Sequence, residues 1–232
     1  MHPRIPGLTA AFCSLALTSC SFVLDKSAKQ CTLDAECAKI DPGASCVASL
    51  CVPAPIVLGQ SAPATGSNAA LGLEMNRGLQ LAFDVQNNLG GINGRAITLK
   101  FLDDQYDPAI AESNARTLTD AQAGTDAPHC PTTATPPTAG TPFSSVALNP
   151  GPNAVLGLVG SVGTPTMVRA APIAVETGRL YFGAFTGAIT MLRNTQAGPC
   201  AKYIFNMRAS YAQEAMATLS YFFVAKVPDD VH

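Results

Sequence analysis

From Ile56 onward, short apolar runs alternate with segments long enough for helices, and that alternation leaves few architectures open. Ile56-Val57-Leu58-Gly59 reads as a buried strand. Asn68 to Asn88 reads as a helix, with Leu71, Met75, Leu79 and Phe83 four apart on one face. The cluster from Asn87 to Gly94 then reads as a turn, because its Gly and Asn residues tolerate positive φ. Ile97 to Leu102 is the next strand, and Pro108 opens a helix at its first position. After an interruption, Val155 to Gly160 reads as a strand and Thr164-Pro165 opens a helix to about Thr177. Leu180 to Ala184 and Tyr203 to Asn206 read as strands, and Ala212 to Ala225 as a last helix. Strands alternating with helices in this way build βαβ units. The expected class is α/β, a parallel sheet with helices on both faces. The interruption, 124–152, carries His129, Cys130 and seven prolines and reads as an inserted surface loop.

Composition narrows the partners. Only 13% of the 232 residues are charged, against 47% hydrophobic, and the formal net charge is −2. Such a chain has apolar material for a core and no basic footprint for phosphate, so nucleic acid is not expected as a partner. Eight cysteines in so uncharged a chain point to an oxidising compartment.

The N-terminus supplies an address. Arg4 precedes an uncharged run from Ile5 to Leu17, too short for a bilayer span and of signal-peptide length. Leu17-Thr18-Ser19-Cys20 resembles the bacterial lipobox, which implies a signal peptide over 1–19 and lipidation of Cys20. Two or more acyl chains anchor stably where one does not. Ser21 after the lipidated cysteine suggests the outer membrane if the cell has two.

Cys31, Cys37, Cys46 and Cys51 follow within 21 residues, among turn formers such as Asp41-Pro42-Gly43. Zinc knuckles favour closer pairs. A two-disulfide module is expected, with three connectivities open. Residues 20–54 thus read as lipid anchor and Cys-rich stalk.

Several stretches together resemble the type I periplasmic binding proteins, in the branched-chain amino acid (leucine/isoleucine/valine) branch of ABC-transporter receptors. They are Gly72-x-x-Met75-x-x-Gly78-x-x-x-Ala82-Phe83, Gly90-Gly91-Ile92-Asn93-Gly94-Arg95 and Asp103-Asp104-Gln105-Tyr106-Asp107-Pro108. Gly157 through Thr166, Phe185-Thr186-Gly187-Ala188 and Phe205 through Tyr211 complete the pattern. The resemblance implies one lobe of that fold over 55–210, with a ligand held at the C-terminal ends of the strands. By position, Thr164 matches the family hydroxyl that bonds a ligand carboxylate, and Thr164 also suits a helix N-cap. Gly163 lies in the same turn, where the backbone approaches closely; Ala184 and Thr186 match ligand partners on the next strand's loop. Leu71 falls near the family's aromatic wall residue. Helix N-termini at such a site favour a carboxylate.

In the family the chain crosses to a second lobe near Ser210-Tyr211, so 211–232 reads as the start of that lobe, and the rest of it is expected to be absent from this chain. Apolar surface left without its partner lobe should face water. Cys130 and Cys200, both in loops, are expected to form a disulfide. Asp103, Asp104 and Asp107 are expected to cap the helix at Pro108 and complement its dipole. No metal, phosphate-loop or nucleophile-elbow motif is present, so neither a cofactor nor catalysis is expected. The resulting expectation is an extracytoplasmic, lipid-anchored substrate-binding protein of an ABC importer for amino acids, amides or related small polar molecules. Its partners would be the ligand, an ABC permease and, through the anchor, a membrane. Two other readings remain: a ligand-sensing domain of the same fold, and a surface interaction lipoprotein whose lobe no longer binds.

Overall fold

The computed structural model describes residues 29–124, 147–188 and 203–225. Cys20, Cys130, Cys200, the signal segment and most of the insertion lie outside them.

The Cys-rich module consists of a short helix α1 (Asp34–Cys37) and a hairpin of β1 (Ser45–Val47) and β2 (Leu50–Val52). Ala48 and Ser49 both take positive φ, which gives the two-residue turn the twist a hairpin needs. The disulfides join Cys31 to Cys46 and Cys37 to Cys51, selecting one of the three connectivities. Asp34 accepts a 2.7 Å bond from Cys46 N, tying α1 to the hairpin. Cys31, Cys37 and Ala44 make the module's small core. Each bridge closes a loop worth about 3 kcal/mol in the chain-entropy picture, which offsets the lack of apolar area.

The lobe runs β3 (Ile56–Ala62), α2 (Ala69–Asn88), β4 (Ile97–Asp103), α3 (Pro108–Leu118), β5 (Ala121–Ala123) and β6 (Leu148–Pro150). It continues with β7 (Gly157–Val159), α4 (Thr164–Glu176), β8 (Leu180–Phe182), β9 (Ile204–Phe205) and α5 (Tyr211–Ser220), the last followed by a π-helical turn, Tyr221–Ala225. Five strands form a parallel sheet in the order β4-β3-β7-β8-β9.

The period of two along each strand decides what each face meets. Val57 on β3, Leu158 on β7, Tyr181 on β8 and Ile204 on β9 turn toward α3 and α4, joining Ala111, Ala115, Leu118, Met167, Ala170 and Ala174 in the main core. Alanines on α3 and α4 let these helices lie close to each other. Gly59 belongs to this face too: a Cβ there would sit 3.1 Å from Leu118 and Val155. Gln60 points to the opposite face, toward α2. It donates to Gly160 O at 2.9 Å and accepts from Asn76 at 2.8 Å, and Asn76 accepts in turn from Gln80.

Three elements differ from the sequence reading, each for a local reason. Strand β3 extends through Gln60, Ser61 and Ala62, because the polar pair is buried with its hydrogen bonds satisfied. The buried residues of α2 are Gly72 and Asn76, whereas Leu71 is 46% exposed. Close approach sets that face: a Cβ on Gly72 would stand 1.9 Å from the Pro63 carbonyl oxygen. The distal end of the insertion is not loop, since Leu148–Pro150 pairs antiparallel with Ala121–Ala123 and Ala147 and Leu148 are buried.

Further along the sheet face that α2 covers over β3 and β4, no helix among the described residues packs over β8 and β9. Phe182 and Phe205 are 43% and 47% exposed there, and their rings pair at 6.3 Å. No helix among the described residues is long and apolar enough to cross a membrane.

Candidate functional site

Parallel strands end together, so the loops after β3, β4, β7, β8 and β9 gather at one edge of the sheet. Two aspartates shape the first of these. Asp103 accepts from Ala64 N at 2.7 Å, Thr65 Oγ1 at 2.6 Å and Gln105 N at 2.9 Å. Burial pushes its carboxyl up, but those bonds outweigh burial and hold it below the usual range. Asp104 is fully buried and accepts from Ser61 Oγ and Tyr106 N, each at 2.9 Å. There burial wins, and its carboxyl lies above the usual range. Only Asp107 caps α3, accepting from Ala109 N and Ile110 N. The expectation that all three acids serve that helix is therefore corrected: Asp103 and Asp104 bind the strand ends and the intervening turn.

The loop after β7 brings the chain into α4 through Gly163, at φ 97°. A Cβ at Gly163 would lie 2.4 Å from the Tyr106 ring, so glycine is required on both conformational and steric grounds. Gly163 is also the N-cap position of α4, and no side chain caps that helix. Thr164 is the first helical residue, and the N-cap role does not fall to it. Its hydroxyl turns to Thr186, with the two Oγ1 atoms 2.6 Å apart. The first turn of α4 also presents N–H groups that its own helix cannot pair, with the positive dipole end behind them.

Thr186 is fully buried and rigidly held. Its Oγ1 accepts from Ala188 N at 3.2 Å, and its carbonyl accepts from Asn206 Nδ2 at 2.9 Å. Ala184, 2% exposed, accepts the Thr186 N–H at 2.9 Å, which tightens the loop after β8. The Phe185 N–H donates to Ser161 O at 2.7 Å and locks this loop to the one after β7.

Tyr211 completes the group, a residue that the sequence reading placed at the start of a further lobe rather than in the site. Its hydroxyl lies 3.3 Å from Thr164 Oγ1 and 3.5 Å from Thr186 Oγ1. The Thr164 and Thr186 hydroxyls hold its phenol below the usual tyrosine range. Arg208 stacks over the Phe185 ring at 4.7 Å and near the Tyr211 ring at 5.6 Å, with its guanidinium forked onto Glu214 at 2.7 and 3.0 Å. Of the residues singled out in the sequence, Gly163, Thr164, Ala184 and Thr186 thus share one edge. Leu71 sits half exposed on α2 and takes no part in the hydroxyl cluster. Cys31, Cys37 and Cys51 have their sulfurs within 4.8 Å of one another, a consequence of the two disulfides.

Comparison with known proteins bears on the fold that carries these residues. Residues 55–136 match the family model described as periplasmic binding protein. The chain is 47% identical over 55 residues to Leu/Ile/Val-binding protein homolog 2 of Brucella abortus (strain 2308), covering 24% of this chain and 15% of that protein. It is 40% identical over 65 residues to Leu/Ile/Val-binding protein homolog 3 of Brucella melitensis, covering 28% and 18%. Among solved structures, it is similar to one titled a possible leucine/isoleucine/valine-binding protein from Rhodopirellula baltica SH 1. That match has 30% identity and a TM-score of 0.56 over 75% of this chain and 37% of that one. A substrate-binding periplasmic protein from Ralstonia solanacearum shares the fold, at 24% identity and a TM-score of 0.53 over 74% and 38%. The chain therefore spans little more than a third of these solved structures and a smaller part of the curated relatives. With the periplasmic binding protein model matched over residues 55–136 and the fold shared by the strands beyond, the α/β part of this chain has the fold of a periplasmic binding protein lobe and resembles the leucine/isoleucine/valine-binding branch.

Proposed function

We propose that this chain receives a small carboxylate-bearing ligand, an amino acid or a close relative, as the substrate-binding component of an ABC importer. The observation that carries the reading is the Thr164–Thr186 hydroxyl pair, 2.6 Å apart at the N-terminal end of α4. Two converging hydroxyls, the N–H groups of the first helical turn and the dipole end suit a carboxylate, which only accepts hydrogen bonds. The relatives named for leucine, isoleucine and valine supply the ligand class to try first. The lobe works outside the cytoplasm, held to a membrane by lipid on Cys20 and set off from it by the disulfide module. The resemblance of residues 17–20 to a lipobox and the two disulfides support that placement.

Isothermal titration of the full chain with L-leucine, L-isoleucine and L-valine tests the ligand reading. Binding is expected, with Thr164→Val weakening it by about tenfold, the equivalent of one charge-assisted hydrogen bond. Heat-silent titrations with all three would remove the reading. The anchor is tested separately by metabolic labelling with a fatty acid, where incorporation should vanish in Cys20→Ser.

A further inference from the structure

Tyr211 is distant in sequence from the two threonines, by 47 and 25 positions, yet its hydroxyl closes a triangle with theirs. We propose that Tyr211 is a third hydroxyl of the ligand seat and tunes the site toward a carboxylate over an amide; this rests on the ligand-binding reading of the same site.

The phenol is not there by accident of a loose side chain. Tyr211 N donates to Gly187 O at 3.0 Å, and a Cβ on Gly187 would lie 2.6 Å from the Tyr211 ring. The ring therefore rests on bare backbone, in space that only glycine leaves. The Arg208 guanidinium, 5.6 Å from the ring centroid and fixed by Glu214, acts as a positioning group. Ser210 and Gln213 cap each other reciprocally at the start of α5, which sets where Tyr211 enters.

Proton counting shows what the triangle can do. The Thr186 oxygen already accepts from Ala188 N, so its own proton can point at Thr164 or at Tyr211. Three hydroxyls carry three protons. Without an outside acceptor they satisfy one another; a carboxylate, with two oxygens and several lone pairs, can take the protons of Tyr211 and Thr164 while buried Thr186 donates to one of those two hydroxyl oxygens. A phenol is a stronger donor than an aliphatic hydroxyl, and an anionic acceptor gains most from it. Replacing one ligand oxygen by an amide NH₂ removes both the charge and an acceptor. Tyr211 is 50% exposed as a whole residue and Thr164 is partly buried, whereas Thr186 is fully buried behind them.

The test is calorimetric titration of the full chain and of Tyr211→Phe with L-leucine and with L-leucinamide. The expected result is a loss of about fivefold to tenfold for L-leucine in Tyr211→Phe, with L-leucinamide changed less than about twofold and the thermal melt preserved. A second readout uses the chain's lack of Trp and its five tyrosines: L-leucine should produce a near-ultraviolet difference signal that disappears in Tyr211→Phe. Equal or tighter L-leucine binding by Tyr211→Phe overturns this role while leaving the ligand site standing. Failure of the parent chain to bind either compound overturns the site and this role together.

Discussion

Asp103 and Asp104 are sequence neighbours whose carboxyls are pushed in opposite directions, and stability against pH should separate them. Asp103 is held below its ordinary value of 3.8 once folded, so its contribution is present above that pH and is lost as pH falls through the folded value. Asp104 lies above the same ordinary value, so its contribution is fully present at low pH and is lost as pH rises through the folded value. Thermal melts between acid and neutral pH should therefore show the stability gap between parent and Asp103→Asn closing as pH falls. The gap for Asp104→Asn should move the other way. Parallel curves for the two variants would contradict the assignment. The acidic character of this turn was evident from residue type alone, and so was the cap at Asp107, because Asp before Pro-Ala at a helix start has a local partner. The roles of Asp103 and Asp104 were not, since their partners Ala64, Thr65 and Ser61 lie about 40 positions away. Tyr211 escaped for the same reason.

At the scale of elements, α2 shows where periodicity informs and where it misleads. Its limits and its inward face around Met75, Leu79 and Phe83 follow from apolar spacing. Its closest contact does not, because the determinant at Gly72 is a missing side chain. Gly72→Ala should destabilise the lobe by about 2–3 kcal/mol, since the new methyl meets the Pro63 backbone, which cannot yield cheaply. Gly78 on the same helix has nothing within 4 Å of a built Cβ. Gly78→Ala should instead stabilise by about 0.5–1 kcal/mol through helix propensity and reduced unfolded-state freedom. Denaturant melts of both variants check the pair, and like signs would contradict the packing. The end of β3 follows a related logic: Gln60 and Ser61 read as loop until their buried partners are known, because polarity marks a strand end only where no hydrogen-bonding neighbour awaits it.

For the whole molecule, the alternation of apolar runs was enough for a parallel α/β sheet and nearly every element in it. What it could not convey is which sheet surface lies bare. Phe182 and Phe205 have the alternation of buried strand residues, and only the position of α2 over β3 and β4 shows that nothing described covers them. Phe182→Thr/Phe205→Thr should lower concentration-dependent light scattering. The double variant keeps strand-forming residues and gives up a ring pair worth about 0.5–1.5 kcal/mol, so the melt should fall only by a few degrees. Unchanged scattering would show that this ring pair does not drive association.

The crossed disulfides of the module have a mechanical consequence. Fully drawn out, the 20 steps from Cys31 to Cys51 would lengthen to about 70 Å at ~3.5 Å per residue. With Cys31 bonded to Cys46, a pull enters at one end, jumps the bridge, and has only the short path from Cys46 to Cys51 left to straighten. That path yields roughly 20 Å beyond the bridge itself. The module is thus a link of limited stretch: tension applied ahead of Cys31 reaches the lobe after roughly 20 Å of give instead of about 70 Å.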